Sequence, residues 1–126
     1  MPRWILRTLI LLVMSGVVTR NASGQVPQAG TYSAERFEVV ESRGHRVATR
    51  DGIILSVDLY RPSAPGRFAA ILVHTPYNNN APGWTKRAKW FARRGYAVAV
   101  SDTRGRYDSE GAWDPFDHRH KTDGYD

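Results

Sequence analysis

Two stretches of the chain are nearly unbroken runs of apolar residues, whereas the segments before them alternate apolar with polar positions. The runs are residues 68–73 and 96–100. Runs of this length without alternation are typical of strands covered on both faces, as in parallel sheets. Parallel neighbours need a crossover connection, which is usually a helix. The pattern therefore predicts two central parallel strands joined through a helix.

The segment between these runs, residues 84–94, has helical spacing. Its apolar positions recur every three or four residues, and its lysines and arginines take the other side. Gly95 follows where a left-handed cap is expected. We interpret the basic side as the solvated face of a crossover helix, in preference to a membrane-surface or nucleic-acid element.

The preceding segment predicts antiparallel strands. Residues 37–43 alternate in part and residues 47–49 continue the β-branched character after Gly44, which predicts an edge hairpin. Asp51-Gly52 is a strong turn signal, and residues 53–60 then lead to a closing proline. The fold class expected from the whole pattern is α/β, with antiparallel edge strands leading into parallel central strands.

The first 24 residues have the three parts of an export signal. Arg3 and Arg7 precede an apolar run at 9–18, and small residues at 22–24 favour cleavage before Gln25. We therefore expect a signal peptide at 1–24, a linker at 25–36 and the folded domain at 37–126, with a periplasmic or extracellular location. An uncleaved membrane anchor is the main alternative.

Composition limits the remaining function classes. The 126 residues are 41% hydrophobic and 24% charged, which is ordinary for one folded domain. Residues 1–24 contain three arginines and no acidic residue, so without them the formal net charge falls from +6 to +3. A net charge of +3 is too small to indicate a nucleic-acid partner. The chain has no cysteine, so no disulfide is expected.

Candidate chemistry is expected where the two apolar strands end, because ligands of open α/β sheets bind outside the carboxyl ends of the strands. The first loop contains Tyr77, a phenolic hydroxyl donor held on a segment stiffened by a proline. The second contains Asp102, which can accept hydrogen bonds from the backbone or from Arg104, and Gly105, which permits a tight reversal. We expect this second loop to hold the rim of the site.

Several short pieces in order resemble the start of the CocE/NonD hydrolases. This α/β-hydrolase group includes cocaine esterase, the α-amino acid ester hydrolases, glutaryl acylases and the X-Pro dipeptidyl-peptidases. The pieces are Arg50-Asp51-Gly52, Leu55-x-x-Asp58-Leu59-Tyr60-Arg61-Pro62, Pro76-Tyr77, Gly95-Tyr96-Ala97-Val98, Asp102-Thr103-Arg104-Gly105 and Ser109-Glu110-Gly111.

The resemblance implies the N-terminal part of an α/β-hydrolase that cleaves ester, amide or X-Pro dipeptidyl substrates through an acyl-enzyme, without a cofactor. The family's oxyanion-hole tyrosine falls on Tyr77. His74 is expected to be structural, because the base comes last in the order of the triad. Small-molecule or peptide substrates are the implied partners, with no nucleic acid and no stable membrane association after signal cleavage.

The nucleophile is not expected in this chain, because the sequence contains no Gly-x-Ser-x-Gly motif. Ser109 is rejected since position 107 is a tyrosine and no strand leads into the segment. The serine, acid and histidine are thus expected to be absent, and the chain to be inactive alone. An exposed sheet edge after the strand at 96–100 predicts a tendency to associate.

The tail is rich in carboxylates and contains His118 and His120, but it has neither an HExxH nor an EF-hand spacing. We expect solvated loop residues here and no metal site, with His118-x-His120 as a weak zinc alternative. Two rival functions remain open, a membrane-surface protein and a secreted binding module. The binding module would use a shared aromatic platform of Tyr77, Trp84, Trp90 and Trp113.

Overall fold

A computed structural model describes residues 32–126 of the protein. The predicted signal peptide and most of the predicted linker lie outside the described residues. The described elements are β1 (Val39–Ala48), β2 (Ile54–Pro62), β3 (Ala69–Thr75), α1 (Pro82–Ala92), β4 (Tyr96–Asp102) and α2 (Arg119–Asp123).

The strands form one mixed sheet in the order β1-β2-β4-β3. β1 pairs antiparallel with β2 and β2 antiparallel with β4, while β3 and β4 run parallel. The predicted change from antiparallel to parallel pairing is confirmed, and α1 provides the crossover between the parallel strands.

The hairpin predicted within residues 37–49 is wrong. The single strand β1 (Val39–Ala48) occupies this segment, and Gly44 (φ 67°) lies in a register irregularity between Ser42 and His45. Glycine permits the left-handed conformation that a bulge of this kind requires. The hairpin instead joins β1 to β2 through the Asp-Gly turn, where the Gly52 N–H donates to the Thr49 carbonyl at 2.9 Å.

Helix α1 covers one face of the sheet. It begins at Pro82, a favoured first residue because proline lacks the N–H that would be unpaired there. Ala88 and Ala92 are buried in the core with residues of β2 and β4, and the larger apolar side chains of the helix pack around them. Gly95 has φ 95°, so the predicted left-handed residue after the helix is confirmed.

The edge predicted after residues 96–100 is also wrong. β4 lies between β2 and β3, so the edges of the described sheet are β1 and β3. The strand at 68–73 was expected to be covered on both faces, yet in β3 the side chain of Leu72 is 50% exposed within the described residues. Among those residues no helix combines the length and apolarity needed to cross a membrane.

Candidate functional site

The carboxyl ends of β3 and β4 lie side by side. Thr75 pairs with Asp102 at the last position of the parallel ladder, and the Thr103 N–H donates to the Thr75 carbonyl at 3.0 Å. The two loops that follow therefore start next to each other, as the strand pattern predicts. This is the edge at which ligands of open α/β sheets bind.

Tyr77 lies in the first loop, where its side chain is exposed and its preceding peptide group is hydrogen-bonded. Its residue surface is 71% exposed, while its N–H donates to the Thr75 hydroxyl at 3.1 Å. Arg106 Nε, from the second loop, donates to the Pro76 carbonyl at 3.1 Å. The hydrogen bonds hold the peptide of Tyr77 in place, so the donor that this residue can offer a ligand is its phenolic hydroxyl.

The same loop is anchored by Asn79, a residue that the sequence reasoning missed. Asn79 is 2% exposed, and its N–H donates to Asp102 Oδ1 at 2.7 Å. Its Nδ2 donates to the Ser56 carbonyl at 3.3 Å. It stands in a run of three asparagines, and nothing in that run distinguishes the buried member from its neighbours.

Asp102, the last residue of β4, connects the two loops through a buried hydrogen bond from Asn79. It is completely buried, and burial raises the pKa of its carboxyl above the ordinary value. Its Oδ2 has no partner among the described residues. The expectation that Asp102 accepts a backbone hydrogen bond agrees with the structure, since the bond from Asn79 is of this kind.

Arg104 does not pair with Asp102, contrary to one of the two options that the sequence left open. Its guanidinium donates to Asp123 Oδ2 at 2.7 Å and to Asp51 Oδ2 at 2.9 Å. The side chains of Arg104 and Asp123 are 2% and 1% exposed. This buried arginine connects the β1–β2 turn to α2, and its hydrogen bond holds the pKa of the Asp51 carboxyl well below the usual range.

Gly105 makes the predicted reversal. Its φ is 68°, and a Cβ placed there would lie 2.2 Å from the backbone nitrogen of Trp113. Only glycine fits a backbone approach of this kind. The loop can fold back on itself because no side chain is present at this position.

Ser109 has a structural role in this arrangement. It is 8% exposed, its hydroxyl donates to the Asp102 carbonyl at 2.8 Å, and it accepts the Ser56 N–H at 2.9 Å. Both hydrogen bonds are to the backbone, and no activating base is among these partners. The geometry supports the expectation that Ser109 is not a nucleophile.

The two histidines of the tail point in different directions. The His118 side chain is 94% exposed, whereas His120 turns inward beside His74 of β3, with ring centroids 6.2 Å apart. The predicted weak zinc pair of His118 and His120 is therefore not formed. Burial lowers the pKa of the His74 imidazole below its ordinary value.

The four aromatic residues proposed as a shared platform belong to separate clusters. Trp84 packs against the core under α1, and Trp90 makes edge contacts with Tyr32 and Phe91. Trp113 packs against the His120 ring with a centroid separation of 5.3 Å. The described residues thus present no single surface that combines these aromatics with Tyr77.

The model of the X-Pro dipeptidyl-peptidase (S15) family matches residues 51–126, which is more than half of the chain. The chain belongs to the S15 family. Its matched region includes both strand-end loops and Tyr77. Hydrolase membership and the CocE/NonD resemblance are confirmed.

Individual relatives agree with this family. Cocaine esterase from Rhodococcus sp. (strain MB1 Bresler) is 47% identical over 73 aligned residues, and the match covers 55% of this chain and 13% of the esterase. A CocE/NonD family hydrolase from Staphylococcus aureus superposes with a TM-score of 0.61 at 23% identity, over 70% of this chain and 19% of its own. An α-amino acid ester hydrolase superposes at 0.51 with 20% identity, over 78% of this chain and 17% of its own.

The S15 chain thus spans 13% of the curated relative and about a fifth or less of these solved structures. At 20–23% identity the superpositions show a shared fold and nothing finer. They place the strand-end loops within part of an α/β-hydrolase fold.

Proposed function

We propose that these residues belong to an exported serine hydrolase that cleaves ester or amide bonds, including X-Pro dipeptidyl bonds, through an acyl-enzyme. Membership of the S15 family supports the hydrolase class. The similarity to cocaine esterase supports an ester among the substrates.

The observation that carries the proposal is the placement of Tyr77. It follows a parallel strand at the ligand-binding edge of the sheet, and hydrogen bonds from Tyr77 itself and from Arg106 fix the peptides around it. Its ring is left exposed to a substrate. A rigid loop that presents one neutral hydroxyl is what an oxyanion donor requires, because such a donor must be oriented before charge develops.

In the proposed reaction a serine hydroxyl attacks the carbonyl carbon while a histidine takes the serine proton. The carbonyl π electrons move to oxygen, and the Tyr77 hydroxyl donates a hydrogen bond to the resulting oxyanion. Collapse of this intermediate expels the alcohol or amine, which receives the proton from histidine. Water then hydrolyses the acyl-enzyme by the same steps, with Tyr77 stabilising the second oxyanion.

The 126 residues contain no Gly-x-Ser-x-Gly motif. We therefore expect the chain alone to hydrolyse p-nitrophenyl acetate no faster than buffer. Rapid hydrolysis that Tyr77→Phe abolishes would show instead that these residues hold a complete site. Export is tested separately, by N-terminal sequencing of the mature protein, for which we expect Gln25 as the first residue.

The role of Tyr77 is tested in an enzyme form that includes the nucleophile. Tyr77→Phe removes only the hydroxyl, so it should lower kcat with little change in folding. Tyr125→Phe is the matched control, because Tyr125 is also highly exposed, at 87%, and lies in the tail beyond α2. Equal activities for the two variants would refute the assignment of the oxyanion donor.

A further inference from the structure

A second cluster of polar groups lies on the sheet face opposite to α1. His74 projects from β3 on this face, while His120 and Asp123 come from α2. One candidate ligand atom from each residue lies within 4.8 Å of the other two. The proposed hydrolysis uses none of these three side chains.

The hydrogen bonds of the two histidines indicate which ring nitrogens carry protons. His120 Nε2 lies 2.7 Å from the Asp114 carbonyl, which can only accept, so Nε2 carries the hydrogen and Nδ1 has a free lone pair. His74 Nδ1 lies 3.4 Å from the Ser101 hydroxyl, which itself donates to the Asp102 carbonyl at 3.2 Å. The His74 proton is therefore on Nδ1, and its Nε2 also has a free lone pair.

Both of these free nitrogens are buried, and neither has a hydrogen-bond partner among the described residues. Two inward lone pairs cannot bond to each other, and burying a polar atom without a partner costs free energy. Metal-binding histidines usually have this arrangement: one ring nitrogen donates its hydrogen to a neighbouring acceptor, and the other, unprotonated nitrogen binds the metal.

Asp123 adds a carboxylate to the cluster. Its side chain is 1% exposed and is bound to Arg104, which also binds Asp51. Asp51 and Asp123 both bind the guanidinium of Arg104, so these three side chains together carry one net negative charge. Each carboxylate oxygen has a second lone pair beyond the one that Arg104 occupies. A cation is thus compatible with the local charge.

We propose that His74 Nε2, His120 Nδ1 and a carboxylate oxygen of Asp123 form a zinc site that fastens α2 to β3. Two imidazole nitrogens and one carboxylate oxygen suit this ion, which binds them at about 2.0–2.2 Å. In a tetrahedral site such ligand atoms are about 3.3–3.4 Å apart, so these atoms, which lie within 4.8 Å of one another, need to approach by up to about 1.5 Å. A surface cavity of about 220 Å³, which His74, Asp123 and Gly124 help to line, lies beside two of the three ligands.

The first test is titration of EDTA-treated, dialysed protein with Zn²⁺ by calorimetry, and with Co²⁺ by visible absorption. We expect one equivalent to bind and Co²⁺ to develop the strong absorption of a tetrahedral site. His74→Gln and His120→Gln should each weaken binding by at least about tenfold. His118→Gln is the matched control, since its side chain is 94% exposed, and it should bind as the unmodified protein does.

The proposal is overturned if the unmodified protein takes up no stoichiometric Zn²⁺, or if His118→Gln is the variant that loses binding. A second measurement needs no variant that must fold. In histidine-labelled protein, Zn²⁺ should shift the ¹⁵N signals of His74 Nε2 and His120 Nδ1, and leave those of His118 unchanged. Unchanged signals for His74 and His120 at saturating Zn²⁺ would equally overturn it.

Discussion

Replacing Arg104 with methionine removes the cation that two carboxylates share. Asp123 is buried beside it, and Asp51 holds the other side of the guanidinium at the β1–β2 turn. Methionine retains much of the apolar length of the side chain but donates no hydrogen bond. The variant therefore leaves Asp123 buried without its charged partner.

The cost follows from the burial of this pair. The side chains of Arg104 and Asp123 are 2% and 1% exposed, so water cannot replace the lost partner. Breaking a buried pair by removing one member typically costs about 3–5 kcal/mol. Replacing both members with apolar residues of similar size is often close to neutral. Arg104→Met should thus be much less stable than the double variant Arg104→Met/Asp123→Leu.

Urea unfolding followed by circular dichroism measures the difference. A loss of about 3–5 kcal/mol corresponds to a midpoint lowered by about 1–5 M urea, at slopes of about 1–3 kcal/mol per molar for small domains. Arg46→Met is the control, because the side chains of Arg46 and of its partner Glu110 are 57% and 50% exposed, so water can replace the lost partner. Should Arg104→Met unfold at the same midpoint as Arg46→Met, the reasoning about the buried pair is refuted.

Three further predictions, one of them with a matched control, concern other parts of the structure. Gly105→Ala should cost at least about 2 kcal/mol, because its Cβ would lie 2.2 Å from a backbone nitrogen. Gly52→Ala also has positive φ, but it has open space around it, so it should cost only about 1–2 kcal/mol; equal losses would contradict the clash. Ser109→Ala should cost about 1–3 kcal/mol by leaving the buried Ser56 N–H unpaired. In an enzyme form that contains the nucleophile its kcat should be unchanged, whereas loss of activity in the folded variant would indicate that Ser109 is itself a nucleophile. Because the folded pKa of Asp51 lies below its unfolded value of 3.8, its contribution to stability is present above that value and lost as the pH falls below about 4; a flat acid limb of stability against pH would contradict this.

The local elements of the fold could be predicted from the sequence. Asp51-Gly52 gives the turn and Gly95 ends the crossover because their conformations are decided by neighbouring residues. The unbroken apolar runs indicate parallel strands, and a parallel ladder necessarily brings the ends at Thr75 and Asp102 together. The Gly44 bulge was missed because glycine marks bulges and turns alike.

Contacts between distant segments could not be predicted. Arg104 pairs with residues 53 positions before it and 19 positions after it, and no local pattern encodes these choices. The opposite orientations of His118 and His120 depend on how a five-residue helix packs against the sheet. Asn79 was missed for a similar reason, since its hydrogen bonds are made to other strands and loops.

The central claim is that Tyr77 donates a hydrogen bond to the oxyanion. The most direct measurement is kcat for ester hydrolysis by Tyr77→Phe, in an enzyme form that contains the nucleophile. Loss of one such donor costs about 2.7–4 kcal/mol, so kcat should fall by about 10²–10³ while KM changes little. A kcat within about twofold of the unmodified enzyme, with folding intact, would contradict the account.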